Sequence, residues 1–173
     1  MALSDSLQNY YKLDESSGSN ATDAHGSSDL TESGTMGSTA SGVINNARTN
    51  DGTSGNYFSS SASELDFDDT DFSISLWVYF NSLPEFDFKT VWGGGNNVSI
   101  AGGDFGGNIV VWSIAGGSVD HSVSTSTWHH VVVTHDATAN QISLTVDDGT
   151  PATDSTSGAA TTSGFYLGAT HSN

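Results

Sequence analysis

The chain has 173 residues, with 20 acidic residues against three basic ones and a formal net charge of −17. This length suits one domain spanning residues 1–173, and the lack of basic patches argues against nucleic acid and anionic membranes as partners. Because the chain has no cysteine, disulfides, thiol nucleophiles and thiolate metal sites are excluded.

The N-terminal third combines one predicted strand with long polar loops. Residues Leu7–Leu13 are predicted to form a strand. The following residues, 14–55, are rich in Ser, Gly, Asn and Thr, so we expect loops that cross the fold and pack through Leu30, Val43 and Ile44. The first residues lack the basic and apolar regions of a signal peptide.

An acidic run, Glu64–Asp69, allows two interpretations. As a strand, it would place Glu64, Asp66 and Asp68 on one face with neighbours about 7 Å apart. Retaining glycosidases hold two carboxyl groups about 5–5.5 Å apart, so a catalytic pair is one hypothesis. The other is an acidic strand end that leads into a turn, since runs of like charge are usually solvated.

The clearest strand is Phe72–Phe80, in which apolar and other residues alternate. If Phe72 and the even-numbered residues face a core, Trp77 and Tyr79 lie on the outer face. Sugar rings present apolar C–H faces that stack on such side chains, so these two residues are candidate ligand contacts. The alternative is that loops from residues 14–55 cover Trp77 and form a second small core.

Further short segments with strand character follow, separated by turn signals. The predicted strands are Asn56–Ser60, Asn108–Ile114, Trp128–Asp136, Gln141–Asp147 and Gly164–Ala169. The predicted turns are Gly93–Asn97, Gly102–Gly107, Gly116–Gly117 and Asp148–Gly149. Many short strands, Gly-rich turns and no helical periodicity predict an all-β, two-sheet antiparallel sandwich.

Three segments resemble laminin-G-like domains of the concanavalin A-like lectin/glucanase superfamily. They are Tyr10–Gly18 with the following Ala21–Gly26, then Phe72–Val78, and Trp128–Asp136 with its continuation Leu144–Gly149. The resemblance implies a jelly-roll sandwich. Relatives continue after a segment like Phe165–Gly168 with a closing strand beside the N-terminal one, whereas this chain stops at Asn173. We therefore expect an open edge along Leu7–Leu13 that a protein partner or another copy completes.

The resemblance also bears on chemistry. Glu64–Asp69 is similar to the Glu-x-Asp-x-x-Glu motif of jelly-roll glucanases, with Asp69 in place of the final Glu. Domains of this family often carry calcium at the rim of the sandwich. Calcium prefers carboxylate, amide and carbonyl oxygens, so the candidate metal ligands are Asp23, Asp51 and Asp104, each beside or near glycine.

The histidines of Trp128–Asp136 do not form a zinc site. His129 and His130 should point to opposite faces of a strand, and His129 and His135 on one face should lie about 20 Å apart. In relatives this segment is structural, so we expect a structural role for these histidines here.

These observations favour a non-catalytic recognition or adhesion module that binds a glycan or cell-surface ligand, with calcium as the candidate cofactor, within a larger assembly. The candidate ligand-binding residues are Trp77, Tyr79, Trp92, Asn96, Asn97 and Trp112. The alternative is a structural decoration or fibre protein of a phage virion without sugar binding, and a jelly-roll β-glucanase comes third. The expected location is extracellular or on a virion surface.

Overall fold

The computed structural model describes residues 6–16, 18–39, 41–53, 55–67, 69–83, 89–93, 98–104, 107–159 and 164–168. Its strands are β1 (Thr31–Ser33), β2 (Gly37–Thr39), β3 (Ala47–Thr49), β4 (Tyr57–Ser60), β5 (Phe72–Tyr79), β6 (Lys89–Gly93), β7 (Val98–Asp104), β8 (Asn108–Ile114), β9 (Gly117–Ser122), β10 (Trp128–Asp136), β11 (Gln141–Val146), β12 (Ala152–Ser155) and β13 (Phe165–Leu167). A 3₁₀ turn spans Ser63–Leu65. Within these ranges, no helix has the length and apolar character needed to cross a membrane.

The strands form two main sheets and a small ribbon. The larger sheet has seven strands in the order β1-β4-β13-β6-β7-β8-β9, and the smaller has four in the order β12-β11-β10-β5. Strands β2 and β3 form the two-stranded ribbon. Every pair of neighbouring strands is antiparallel, which confirms the predicted all-β antiparallel sandwich.

The core lies between the two main sheets and follows from alternation along the strands. In β10 every second residue is buried, and β11 shows the same pattern. The side chains that the two sheets contribute include Phe58, Ile100, Ile114, Val119, Val131, Val133, Ile142, Leu144, Val146 and Phe165. Each fully buried aliphatic side chain contributes about 1.5–3 kcal/mol relative to an exposed one.

Two tight turns set the register of neighbouring hairpins. Ala115 and Gly116 both have positive φ between β8 and β9, as a two-residue primed turn requires. Between β11 and β12, the positive-φ residues are Asp147 and Asp148, and the Gly149 N–H donates to the Val146 carbonyl. The predicted hairpin is therefore present, with its centre one residue earlier than Asp148–Gly149.

The N-terminal segment differs from the prediction. Leu7–Leu13 is not a strand of either main sheet, and it forms only an isolated bridge between Tyr11 and Asp23. Residues 14–55 include the three short strands β1, β2 and β3 in place of the long loops that composition predicted. Leu30 is buried as expected, whereas Val43 and Ile44 are 43% and 74% exposed and do not pack into the core.

A buried ion pair organises this N-terminal arm, by which we mean the described residues between 6 and 53. The Arg48 guanidinium lies 3.0 Å from the Glu32 carboxylate, and both side chains are almost fully buried. Arg48 also donates to the carbonyls of Ser16, Ser19 and Met36. The guanidinium sits 4.9 Å from the centre of the Phe58 ring, so it joins the arm to β4.

Two further segments differ from the prediction, the acidic run Glu64–Asp69 and the glycine-rich segment that begins at Gly102. Glu64–Asp69 is not a strand, because it begins in the 3₁₀ turn and Asp69 has a φ of 42°. The prediction that strand alternation places Glu64 and Asp66 on one face is therefore wrong. Asp68 lies outside the described residues. Gly102 belongs to β7 rather than to a turn, and a Cβ there would lie 2.8 Å from both Leu83 and Phe80.

Candidate functional site

The outer face of the four-stranded sheet carries an aromatic platform, by which we mean Trp77, Tyr79, Trp128 and His130. Antiparallel pairing of β5 with β10 places His130 opposite Trp77 and Trp128 opposite Tyr79. Directly opposed residues share a face, so all four belong to the side of the sheet that faces away from the core. This confirms the predicted outward position of Trp77 and Tyr79, which are 50% and 39% exposed.

The platform residues support one another through ring contacts. The Trp77 indole stacks on the His130 imidazole with a centroid distance of 4.9 Å and an interplanar angle of 28°. The Tyr79 and Trp128 rings meet edge to face at 5.5 Å. The His130 Nε2 lies 2.8 Å from the Ser75 hydroxyl, which holds the imidazole in place beneath the indole. Half of Trp77 nevertheless stays exposed to solvent.

Hydroxyl side chains lie farther along the same outer face. The register places Thr134 opposite Ser143, and their hydroxyl oxygens are 2.7 Å apart. Ser143 is in turn opposite Thr153 on β12. The same face therefore carries aromatic rings at one end and, about 13 Å farther along β10, these hydroxyl donors and acceptors. This is the combination that sugar rings and their hydroxyl groups require.

The arm reaches the platform at one described point. The Trp128 indole N–H donates to the Ser41 carbonyl over 3.2 Å. Ser41 lies in the loop between β2 and β3 that also exposes Val43 and Ile44. This contact borders Trp128 without covering Trp77, so the interpretation of Trp77 as part of a second small core does not fit its exposure.

The other predicted ligand residues do not join the platform. Trp92 and Trp112 lie on β6 and β8 of the seven-stranded sheet. The register aligns both of them in one row with Ile100 and Val119, which are buried. Asn96 and Asn97 lie outside the described residues.

Asp23 is the hub of a hydrogen-bond network. Its carboxylate accepts backbone N–H groups from Tyr10, His25, Gly26 and Ser28, and the side-chain amide of Asn9. Burial alone would raise the pKa of Asp23, but these donors together hold the pKa far below its ordinary value. Both carboxylate oxygens are thus occupied by donors of the arm, and calcium ligation by Asp23 stays a prediction.

Asp51 and Asp104 are placed in turns. The Asp51 Oδ1 accepts the Thr53 N–H at 2.8 Å, which lowers the pKa of Asp51 below its ordinary value. Asp104 ends β7, and its Oδ1 accepts the Gly107 N–H at 3.0 Å. Across the described ranges, no three His, Asp or Glu side chains form a group that could hold a metal ion. The three predicted calcium ligands therefore do not converge on one site.

His129 lies on the core side of β10 and makes a structural network. Its Nδ1 is 2.6 Å from the Asp147 carboxylate, and its Nε2 is 2.9 Å from the Ser124 carbonyl and 3.2 Å from the Ser124 hydroxyl. Burial raises the pKa of Asp147, but the His129 contact and the His130 N–H outweigh it and lower that pKa. His129 is only 6% exposed. The network ties β10 to the segment that precedes it, through Ser124, and to the turn that follows β11, through Asp147.

The sequence pattern missed Trp128 and His130 as partners of Trp77 and Tyr79. The signal was present, since alternation along Trp128–Asp136 puts both residues on the face opposite His129. The pattern did not give the register between β5 and β10. A slip of one residue would have paired different side chains.

Comparison with known proteins identifies the fold family. No curated protein sequence matches the chain. The family model described as the concanavalin A-like lectin/glucanases superfamily matches residues 51–173, which include the strands β4 to β13. The chain belongs to the laminin-G-like branch of the concanavalin A-like lectin/glucanase superfamily.

Proposed function

We propose that this protein is a non-catalytic recognition module that binds glycans on the aromatic platform. The observation that carries the proposal is the half-exposed Trp77 indole, stacked on His130 and next to Ser75 on the same face, whose hydroxyl lies 2.8 Å from the His130 Nε2. Membership of the superfamily supports a lectin-like or adhesion role. The fold alone does not determine the ligand, because function depends on the site built on it.

Preorganisation of the rings favours binding. The Trp77 side chain is already held against His130, so a sugar that stacks on it loses little side-chain entropy of the protein. The hydroxyl groups of Thr134 and Ser143 already hydrogen-bond to each other, and such hydroxyls can redirect their hydrogens toward a ligand. The outer face therefore suits a neutral oligosaccharide in which one pyranose ring stacks on Trp77 and another residue, about 13 Å farther along the face, reaches Thr134 and Ser143.

The charge of the chain selects among glycans. A net charge of −17 repels sulfated, sialylated and uronic acid polymers, especially at low ionic strength. We therefore propose neutral glycans as the ligand class. Calcium assistance from the turns that carry Asp51 and Asp104 remains part of the proposal, and it is tested separately with chelator.

A glycan array followed by calorimetry tests this function. We expect the wild-type chain to bind neutral oligosaccharides, and Trp77→Ala to weaken the affinity by at least about ten-fold, a change of about 1.4 kcal/mol. Tyr10→Ala is the matched control, because Tyr10 is an equally exposed aromatic residue, at 48%, and lies in the arm, where its backbone bonds to Asp23 and Ala24. Its affinity should match the wild type.

Each outcome of the glycan-binding experiment supports a different conclusion. Loss of binding with chelator would assign calcium a role, whereas unchanged binding would restrict the site to the platform. If the wild type binds no neutral glycan with or without calcium, the proposal is wrong. A structural role, such as decoration of a virion surface, would then be the better hypothesis.

A further inference from the structure

His130 occupies the middle of a row of residues that crosses the outer part of the four-stranded sheet. Antiparallel pairing places Trp77 of β5 directly opposite His130 of β10. On the other side of His130 lies Asp147, the residue that follows β11. The Asp147 N–H donates to the His130 carbonyl, and the His130 N–H donates to the Asp147 Oδ1 over 2.9 Å. The ring offered to a ligand, a titratable ring and a carboxylate therefore belong to one row.

The hydrogen bond between His130 and Ser75 suits both protonation states of the imidazole. The His130 Nε2 lies 2.8 Å from the Ser75 hydroxyl oxygen. A hydroxyl group can donate to a neutral ring nitrogen and can accept from a protonated one. Proton uptake therefore changes the charge beneath the Trp77 indole while the imidazole keeps its place at a centroid distance of 4.9 Å.

The groups around His130 differ in the pH range in which they change charge. Imidazoles ordinarily gain a second proton near about pH 6.5, whereas phenols such as that of Tyr79 on β5 ordinarily ionise near about pH 10. Burial raises the pKa of Asp147, but its hydrogen bonds and its attraction to both histidines lower it, so this carboxylate stays charged in mild acid. His129 contacts the same carboxylate from the core side of the sheet. On β10 itself, Trp128 is neutral.

We infer that His130 positions the Trp77 indole and that proton uptake by its imidazole weakens glycan binding on the platform. This inference rests on the proposed function. The faces of an indole carry negative charge, which attracts the partly positive C–H groups of a stacked sugar. A cation on the opposite face is attracted by the same ring charge and repels those C–H groups. The platform therefore binds its ligand at neutral pH and releases it in mildly acidic surroundings.

A neutral ligand reports this local effect with little interference from the rest of the chain. The chain has six histidines, so its net charge changes over the same pH range. An uncharged oligosaccharide responds weakly to that overall change, whereas a sugar on Trp77 lies over the ring that His130 supports. We expect proton uptake to weaken the affinity about two- to five-fold, which corresponds to about 0.5–1 kcal/mol.

Calorimetry at about pH 5.5 and about pH 8, on either side of the ordinary imidazole range, tests the inference. The probe is the neutral oligosaccharide that binds most tightly on the glycan array. His130→Phe keeps a flat ring beneath Trp77 but takes up no proton, so its affinity should be the same at both pH values. His130→Ala removes the ring and should weaken binding at both. His25→Phe is the matched control, because His25 is an exposed histidine of the arm, and it should keep the wild-type pH dependence.

Tryptophan fluorescence tests the coupling of His130 to Trp77 without a sugar. A protonated imidazole quenches the emission of an indole in contact with it. The emission that Trp77 contributes, measured as the difference between the wild type and Trp77→Phe, should therefore fall from about pH 8 to about pH 5.5. The corresponding difference between His130→Phe and the double variant with Trp77→Phe should stay constant. Circular dichroism at both pH values establishes that each variant is folded.

The outcomes separate this inference from the proposed function. If the wild type binds the oligosaccharide equally well at both pH values, or more tightly at the lower one, the inference is wrong and the proposed function stands. A pH dependence that survives in His130→Phe would place the sensing group elsewhere and would overturn the inference, as would Trp77 emission that does not change with pH. A wild type that binds no neutral glycan at either pH contradicts the proposed function, and the release falls with it.

Discussion

The four-stranded sheet and the N-terminal arm are held in place by different forces. In the sheet, alternate side chains such as Ile142 and Leu144 enter the core and are fully buried. In the arm, each strand has three residues, and the buried groups include the charged side chains of Asp23, Glu32 and Arg48. The sheet therefore depends on apolar burial, and the arm on charge-assisted hydrogen bonds to backbone.

This difference indicates which substitutions each region tolerates. An apolar core accepts volume-conserving substitutions at a cost below about 1.5 kcal/mol. A buried charge that loses its partner is far more costly, because it has neither water nor a counter-charge. We therefore expect the arm to be more sensitive to charge and pH than the sheet, although it contributes fewer apolar side chains.

Arg48→Ala should have the largest effect. It leaves the Glu32 carboxylate buried without its partner and frees three backbone carbonyls, so the free energy of unfolding should fall by about 3–5 kcal/mol. Urea denaturation measures the loss. Lys12→Ala removes the same charge from an exposed residue and should change the stability by less than about 0.5 kcal/mol. Equal effects of the two variants would contradict the structural role of the ion pair.

Asp23→Asn should rank second and should change the pH dependence. The variant loses the charge that accepts the N–H groups of Tyr10, Gly26 and His25, at a cost of about 2–3 kcal/mol near neutral pH. Because the pKa of Asp23 is lowered on folding, its stabilising contribution is complete above the unfolded pKa of about 3.9 and is lost as the pH falls below it.

Denaturation curves at several pH values measure this effect. The wild type should lose stability steadily below about pH 4, and Asp23→Asn should show a smaller slope over the same interval. Asp154→Asn is a suitable control, because the exposed Asp154 carboxylate accepts two N–H groups, from Ser118 on β9 and from Ser155 on β12, whereas Asp23 accepts five donors. If both variants show the same slope, Asp23 is not the main origin of the acid sensitivity.

The contrast between the regions also explains which elements the sequence predicted. Strands β8 and β10 have the predicted bounds, and β5 and β11 end one residue before theirs. Strands β5 and β11 carry alternation, and β8 and β10 carry runs of β-branched and aromatic residues, which are both typical of strands. The turn predicted at Gly116–Gly117 is present, and its two positive-φ residues are Ala115 and Gly116, one residue earlier.

The arm gave no such signal, because its order arises from contacts between residues far apart in sequence. Asp23 binds the backbone of Tyr10, and Arg48 binds the carbonyl of Ser16 32 residues earlier. Such contacts leave no periodic pattern. Leu7–Leu13 shows the converse error, because an apolar pattern was interpreted as a strand although the segment forms only one isolated bridge. The platform was half predicted for the same reason, since Trp128 and His130 meet β5 only through register.

Gly26→Ala should have an intermediate effect that is confined to the arm. A Cβ at this position would lie 2.6 Å from the Asp23 Oδ2 and 2.9 Å from the Gln8 carbonyl, so the network around Asp23 must shift. A destabilisation of about 1–3 kcal/mol is expected. Gly107→Ala meets no atom within 4 Å and serves as the control with the same chemical change. Thermal denaturation of both variants distinguishes crowding from the general effect of replacing glycine.

Trp128→Phe should have the smallest effect, and it tests how the two regions are coupled. The substitution removes the hydrogen bond from the indole to Ser41 while it keeps an aromatic ring beside Tyr79. A net loss of about 0.5–1.5 kcal/mol is expected, near the lower end because Trp128 is only partly buried. Trp77→Phe is the control, because the Trp77 indole makes no described hydrogen bond, so this substitution changes the ring alone.

Amide hydrogen exchange locates the consequence of Trp128→Phe. If the indole contact is the link between the arm and the platform, residues 41–46 should exchange faster in the variant, while the amides of β10 and β11 keep their wild-type protection. If residues 41–46 keep their protection, the loop is held by its own contacts, such as the Gly42 N–H to the Asn45 carbonyl and the Asn45 amide to Asp14. The arm would then be an independent unit, and ligand binding on the platform would be insensitive to substitutions around Asp23 and Arg48.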